Sequence, residues 1–232
     1  MTFIIAIQLN DSIIIAADNK KITIKNTGEI QFNKDKLSKL YPWKHGLITG
    51  TGEAHVIHQA TSIFKSLTFP DISELPECLN ISRYLRELEV GKSYYQIENT
   101  KLLCSYSDST GIQLYKIERF EPSQEYTMVP IQSMEIIIWL FHPDITLIET
   151  DLQSLYKNIK DYQTFPNDEA WLSHYISQLA PIYKKQSKID TLMSSSFDVF
   201  LQTKNVCSMW HIPNQQNMPI DLTYYYEQET NS

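Results

Sequence analysis

Cysteine is scarce in this chain of 232 residues. Cys78, Cys104 and Cys207 are widely spaced and odd in number, and none belongs to a C-x-x-C pair, which excludes a disulfide framework or a zinc ribbon. Long apolar runs are missing as well. The segment "MEIIIWLF" (134–141) is far too short to span a bilayer, so no membrane partner is expected. The N-terminal apolar run has no basic leader and is interrupted by Gln8, Asn10, Asp11 and Ser12, so it does not read as a signal peptide and a cytoplasmic location is expected. Positive charge is not in excess. A formal net charge of −7 gives no electrostatic reason to expect a nucleic-acid partner. Familiar catalytic motifs are absent too. His55 and His58 lack an H-E-x-x-H pattern, the serines at 194–196 lack G-x-S-x-G, and Gly50-Thr51-Gly52 is followed by no Walker lysine. Neither a metal nor an organic cofactor is called for.

What remains is ordinary globular composition, with 42% hydrophobic and 20% charged residues, enough to bury one substantial core. No linker, repeat or low-complexity segment divides it, so residues 1–232 read as a single domain with a polar tail at about 224–232. Short Ile-rich runs at the start read as a β-hairpin, followed by a second hairpin over 22–32 around Asn26-Thr27-Gly28 and two more strands. Residues 53–67 carry apolar positions at helical spacing, and a second helix is expected at about 80–90. Strands return over 101–130. Residues 133–185 read as mainly helical, with Met134 and the following Ile run as helix core, and a hairpin closes the pattern near 197–212. Strands and helices are segregated, which favours two antiparallel sheets with helices outside over βαβ units.

The register of the first hairpin bears on chemistry. A two-residue turn at Asn10-Asp11 pairs Leu9 with Ser12 and separates Thr2 from Asp18. A three-residue loop, 9–11, pairs Gln8 with Ser12 and Thr2 with Asp18. The second is preferred, because it sorts a purely apolar face from one with polar ends.

A threonine hydroxyl is a poor nucleophile and needs a base. If Met1 is removed, the α-amine of Thr2 becomes a base attached to the nucleophile, with a reference pKa of about 8. A nearby lysine favours the neutral amine and stabilises developing negative charge, and an aspartate holds the lysine in place. Thr2, Asp18 and a lysine one hairpin further on form such a set. Otherwise Lys34, Lys36 and Lys39 are an ordinary solvated basic stretch.

"MTFIIAIQLNDSIIIAAD", "DKLSKLY" and "GLITGTGEAHV" together resemble the start of proteasome-type N-terminal threonine hydrolases, the group of proteasome β subunits, the HslV peptidase and related bacterial proteasome-like proteins. "IDTLMSSSFDVFLQT" is similar to a later segment of that family. The resemblance implies a four-layer αββα sandwich of class α+β, the Ntn-hydrolase fold. It implies Thr2 as nucleophile, Asp18 and Lys36 beside it, and Asp190 as a further site aspartate. Counting from Thr2 points to Lys34, the "KLSKLY" context to Lys36. Ser133 and Ser194 stand for the family's supporting serines, and Gly50, Thr51 and Gly52 for the edge of its substrate groove. The activity implied is cleavage of peptide or other amide bonds without metal or cofactor, in a ring-like homo-oligomer, with an unfoldase partner left open. A non-catalytic scaffold or binding subunit of the same fold, and an amidase acting on a small molecule, are the other two readings.

Overall fold

The computed structural model describes residues 2–24, 30–92, 94–140, 142–214 and 220–222, of which 23–24, 30–36 and 220–221 are described as backbone only. Strands β1 (Ile4–Gln8) and β2 (Ser12–Asp18) form the first hairpin. They are followed by β3 (Lys20–Ile24), β4 (Ile30–Lys36), β5 (Leu40–Trp43) and β6 (Gly46–Thr51). Helices α1 (Ala54–Ser66), α2 (Leu75–Val90) and the short α3 (Tyr95–Glu98) come next. Strands β7 (Lys101–Ser107), β8 (Ile112–Glu118), β9 (Thr127–Pro130) and β10 (Glu135–Trp139) precede helices α4 (Glu149–Lys157) and α5 (Asp168–Gln186). The last strands are β11 (Phe197–Thr203), β12 (Cys207–Ile212) and the short β13 (Ile220–Asp221).

Two antiparallel sheets carry the fold, with strand orders β10-β1-β2-β11-β12-β13 and β5-β6-β7-β8-β9, and β3 pairs with β4 in a separate ribbon. Three apolar clusters define the layers. Phe3, Ile5, Ile7, Ile14, Val199 and Leu201 of the first sheet pack on Leu155, Trp171, Tyr175 and Leu179 of α4 and α5. Ile4, Ala6, Ile13, Ile15 and Phe200 meet Leu47, Leu103 and Leu114 of the second sheet. Ile48, Leu102 and Ile117 meet Val56, Ala60, Phe64 and Leu79 of α1 and α2. The order is therefore helices, sheet, sheet, helices, an α+β architecture. β1 and β2 are buried on both faces, which suits their continuous β-branched runs. α1 begins where the Glu53 carboxylate accepts from Val56 N at 2.9 Å, and α5 where Asn167 Oδ1 accepts from Ala170 N at 2.9 Å.

Three expectations are corrected. The first hairpin pairs Gln8 with Ile13 and Ile4 with Ala17, and Leu9 N donates to Ser12 O at 2.9 Å, so its turn has two residues, Asn10 and Asp11. Both faces of the hairpin are buried, so polarity does not separate the two registers. The turn is also held from outside: Asp11 Oδ1 and Oδ2 accept from Tyr162 N (2.8 Å) and Gln163 N (2.9 Å). The Ile run after Met134 is the strand β10, which pairs with β1, rather than helix core. A short apolar run of this kind has no periodicity that separates strand from helix. The helix expected near 80–90 starts earlier, at Leu75, behind an Asp71 capping box. The turn at 26–28 and the polar tail at 224–232 lie outside the described residues.

Candidate active site

Asp18 ends β2 between Phe3, just before β1, and Phe197 of β11, its backbone neighbours on either side. Both of these rings contact Tyr183 of α5, with centroids 4.9 and 4.3 Å away, so a buried aromatic stack forms the floor beneath the aspartate. Burial raises the Tyr183 phenol well above its ordinary range, and the Asp18 charge adds to this, so the hydroxyl stays neutral.

The Asp18 carboxylate accepts from four donors. Oδ1 takes Phe3 N and Lys39 Nζ, each at 2.9 Å, and Oδ2 takes Lys20 N at 3.1 Å and Ser194 N at 3.3 Å. Asp18 is fully buried and Lys39 nearly so, making this an ion pair removed from water. Lys39 is in turn placed by its own backbone, whose carbonyl accepts from Thr49 Oγ1 at 2.7 Å. Thr2, only 7% exposed, lines a cleft together with Lys39, Tyr41, Gly50, Gly52 and Ala54.

Among the described side chains, the lysine on Asp18 is Lys39. Lys36 lies in β4 with Lys20 as its backbone partner, and Lys34 is two residues before it; the side chains of both are outside the described residues. Nothing in the sequence spacing separated Lys39 from its neighbours in the basic stretch. Gly50 and Gly52 reach the cleft, and Thr51 between them pairs with Lys101 in the sheet. Both glycines also have a backbone reason. Gly52 has φ +110°, and a Cβ there would stand 2.4 Å from Thr100 Cα.

Ser194 is brought to Asp18 through its backbone amide, and its hydroxyl lies within hydrogen-bond reach of Asn19 N, Asn19 Oδ1 and Ser196 O. Asp190 is buried and its carboxylate accepts from Leu192 N at 2.9 Å, which closes the turn leading to Ser194. Met193, next to Ser194, is buried in the core under the first sheet. Ser133 is exposed and precedes Glu135, the partner of Gln8, so it stands at the opposite end of β1 from Thr2. Five strand residues separate those ends, about 17 Å.

Sequence reasoning missed a second polar network behind Asp18. The Asn19 side chain contacts Ser194 and Ser196, and its Nδ2 donates to Asp198 Oδ1 at 3.3 Å, where His211 Nδ1 also stands at 2.7 Å. Asn19 follows β2, Ser194 and Ser196 precede β11, and Asp198 and His211 lie in β11 and β12. No local spacing announces their meeting. Among the described residues no group of three or more His, Cys, Asp or Glu stands together as a metal site.

Solved structures similar to this chain include Anbu proteins. One is an Anbu (Gly-1) mutant from Hyphomicrobium sp. strain MC1, with a TM-score of 0.60, 12% identity, and coverage of 100% of this chain and 92% of that one. Anbu (ancestral beta-subunit) from Yersinia bercovieri gives 0.57 and 10%, covering 98% and 91%. Anbu from Pseudomonas aeruginosa, solved as a helical assembly of the Anbu complex, gives 0.61 and 9%, covering 97% and 90%. No protein-family model matches the chain, and no curated protein does. The assignment to proteasome β subunits and HslV is therefore corrected: the structural likeness is to Anbu, a distinct family with a proteasome-like fold, and at these identities it shows the fold alone.

Proposed function

We propose that this chain is an N-terminal-nucleophile hydrolase of amide bonds, acting through Thr2 once Met1 is removed. The observation that carries the reading is the buried Lys39–Asp18 pair in the cleft that Thr2 lines. The freed α-amine of Thr2, in its neutral form, takes the proton of Oγ as Oγ attacks the substrate carbonyl. That proton passes to the leaving amine as the C–N bond breaks. Water then attacks the Thr2 ester and releases the acid. The Lys39 ammonium favours the neutral amine and stabilises negative charge developing on oxygen, and Asp18 keeps it in place. Asp190 and Ser194 act one step back, shaping the turn whose Ser194 amide binds Asp18. Gly50 to Gly52 offer backbone groups to an extended peptide or smaller amide. Copies of the chain assemble into a homo-oligomer, a reading supported by the helical assembly described for the P. aeruginosa protein.

Intact mass of protein made in cells, before and after treatment with a β-lactone, tests the proposal. Loss of Met1 and a single acyl adduct that disappears in Thr2→Ala are expected. Met1 retained without an adduct would instead establish the second reading, a scaffold or binding subunit. Two observations favour that alternative: Ser133 stands at the far end of β1, and Met193, not a serine, precedes Ser194. With an adduct present, turnover of fluorogenic peptides against simple anilides separates a peptidase from a small-molecule amidase.

A further inference from the structure

Away from the Thr2 cleft, buried polar groups of one neighbourhood stand without partners among the described residues. Arg83 of α2 is only 3% exposed, and its Nη1 donates to Glu87 Oε1 and Pro122 O, both at 3.3 Å. Among the described residues, its Nε and Nη2 have no hydrogen-bond partner. Arg119 Nε and the Tyr126 hydroxyl are also buried and unpartnered. The Tyr126 ring is shared by both arginines, with Arg83 Cζ 5.9 Å and Arg119 Cζ 5.3 Å from its centroid. Arg83 and Arg119 line a surface cavity of about 510 Å³.

A buried donor left unpaired carries the full cost of its desolvation. Here the unpaired donors of Arg83 and Arg119 belong to residues that line one cavity, with the Tyr126 hydroxyl on the ring both arginines share. The pattern on Arg83 is specific. Nε–H and Nη2–H leave the same edge of the guanidinium side by side, and that edge is the fork that receives the two oxygens of a carboxylate. The opposite side of the group is already used by Glu87 and Pro122. Charge narrows the ligand further. Arg83, Lys92 and Arg119 line the cavity with Glu87 and Glu98, three cations against two carboxylates. One negative charge balances this set, whereas a phosphate dianion meets two opposing carboxylates. The Tyr84 ring, 47% exposed, lies on the Arg83 guanidinium with Cζ 4.2 Å from its centroid, and offers a flat apolar wall.

We propose that this cavity binds an organic monocarboxylate, its two oxygens held by Arg83 Nε and Nη2, with Arg119 and the Tyr126 hydroxyl as flanking donors. The unpaired Arg83 nitrogens are buried. Entry therefore requires side chains of the cavity wall to change rotamer.

Benzoate titrated into the full chain at constant ionic strength, read by calorimetry and by the near-ultraviolet tyrosine spectrum, tests the site. One equivalent binding in the millimolar range is expected, with inorganic phosphate weaker. Arg83→Gln removes a buried residue, and its failure to fold would be uninformative, so Tyr126→Phe and Arg119→Gln carry the test. Each should weaken benzoate by about tenfold. Absence of saturation, unchanged affinity in both variants, or phosphate binding tighter than benzoate would overturn the proposal. The readout does not depend on Thr2 chemistry.

Discussion

Lys39 Nζ stands 2.9 Å from Asp18 Oδ1, an ion pair that joins the end of β2 to the residue just before β5. With four donors on Asp18 and almost no water at either partner, the pair is well satisfied only while both members are present.

Asp18→Asn keeps the shape and removes the charge. Leaving Lys39 buried without its counter-charge should cost about 3–5 kcal/mol of stability, read by urea denaturation.

Under the proposed mechanism, Lys39→Ala slows β-lactone acylation of Thr2 by about 10²–10³-fold while the hairpin remains folded. Lys36→Ala and Lys34→Ala acylate at close to the parent rate. The reverse ranking, measured as rates of adduct formation by mass spectrometry, would return the role to the β4 lysines.

The first turn depends on a contact distant in sequence. Asp11→Ala removes acceptors from Tyr162 N and Gln163 N and should cost about 1–3 kcal/mol. A chemical-denaturation midpoint unchanged from the parent would show that the turn holds itself.

Between the sheets, Phe200 of β11 is fully buried, and Phe200→Ala should cost about 3–5 kcal/mol by opening a cavity. Thermal melting gives the test, since an exposed residue such as Phe120 should show almost no effect when changed in the same way.

Alkaline pH should destabilise the fold. Burial, with Glu74 adding to it, pushes the Cys78 thiol up to about 11, and burial pushes Tyr126 and Tyr175 to about 12. In the unfolded chain these groups lose their protons first, so the unfolded state binds fewer protons and stability falls as pH rises from about 8.5. Their contribution is fully present below that pH. Urea midpoints at pH 8 and pH 10 give the check. At pH 8 only about 0.1% of Cys78 is thiolate, so iodoacetamide should label half-buried Cys207 well before Cys78 or fully buried Cys104.

The sequence by itself determined the elements with strong local signals and pointed to the two end groups of the candidate site. Ile-rich runs that cannot face water made β1 and β2, the Glu53 and Asn167 caps started α1 and α5, and segregation of strands from helices pointed to layered sheets. Thr2 and Asp18 were legible because they bracket one hairpin. Tertiary structure decided the rest. Burial on both faces erased the polarity that would have revealed the hairpin's register, and a contact from residues 161–163 holds its turn. "EIIIW" became a strand because β1 had an open edge for it. Lys39 reaches Asp18 through the tertiary packing, and an ion pair across layers leaves no trace in local spacing.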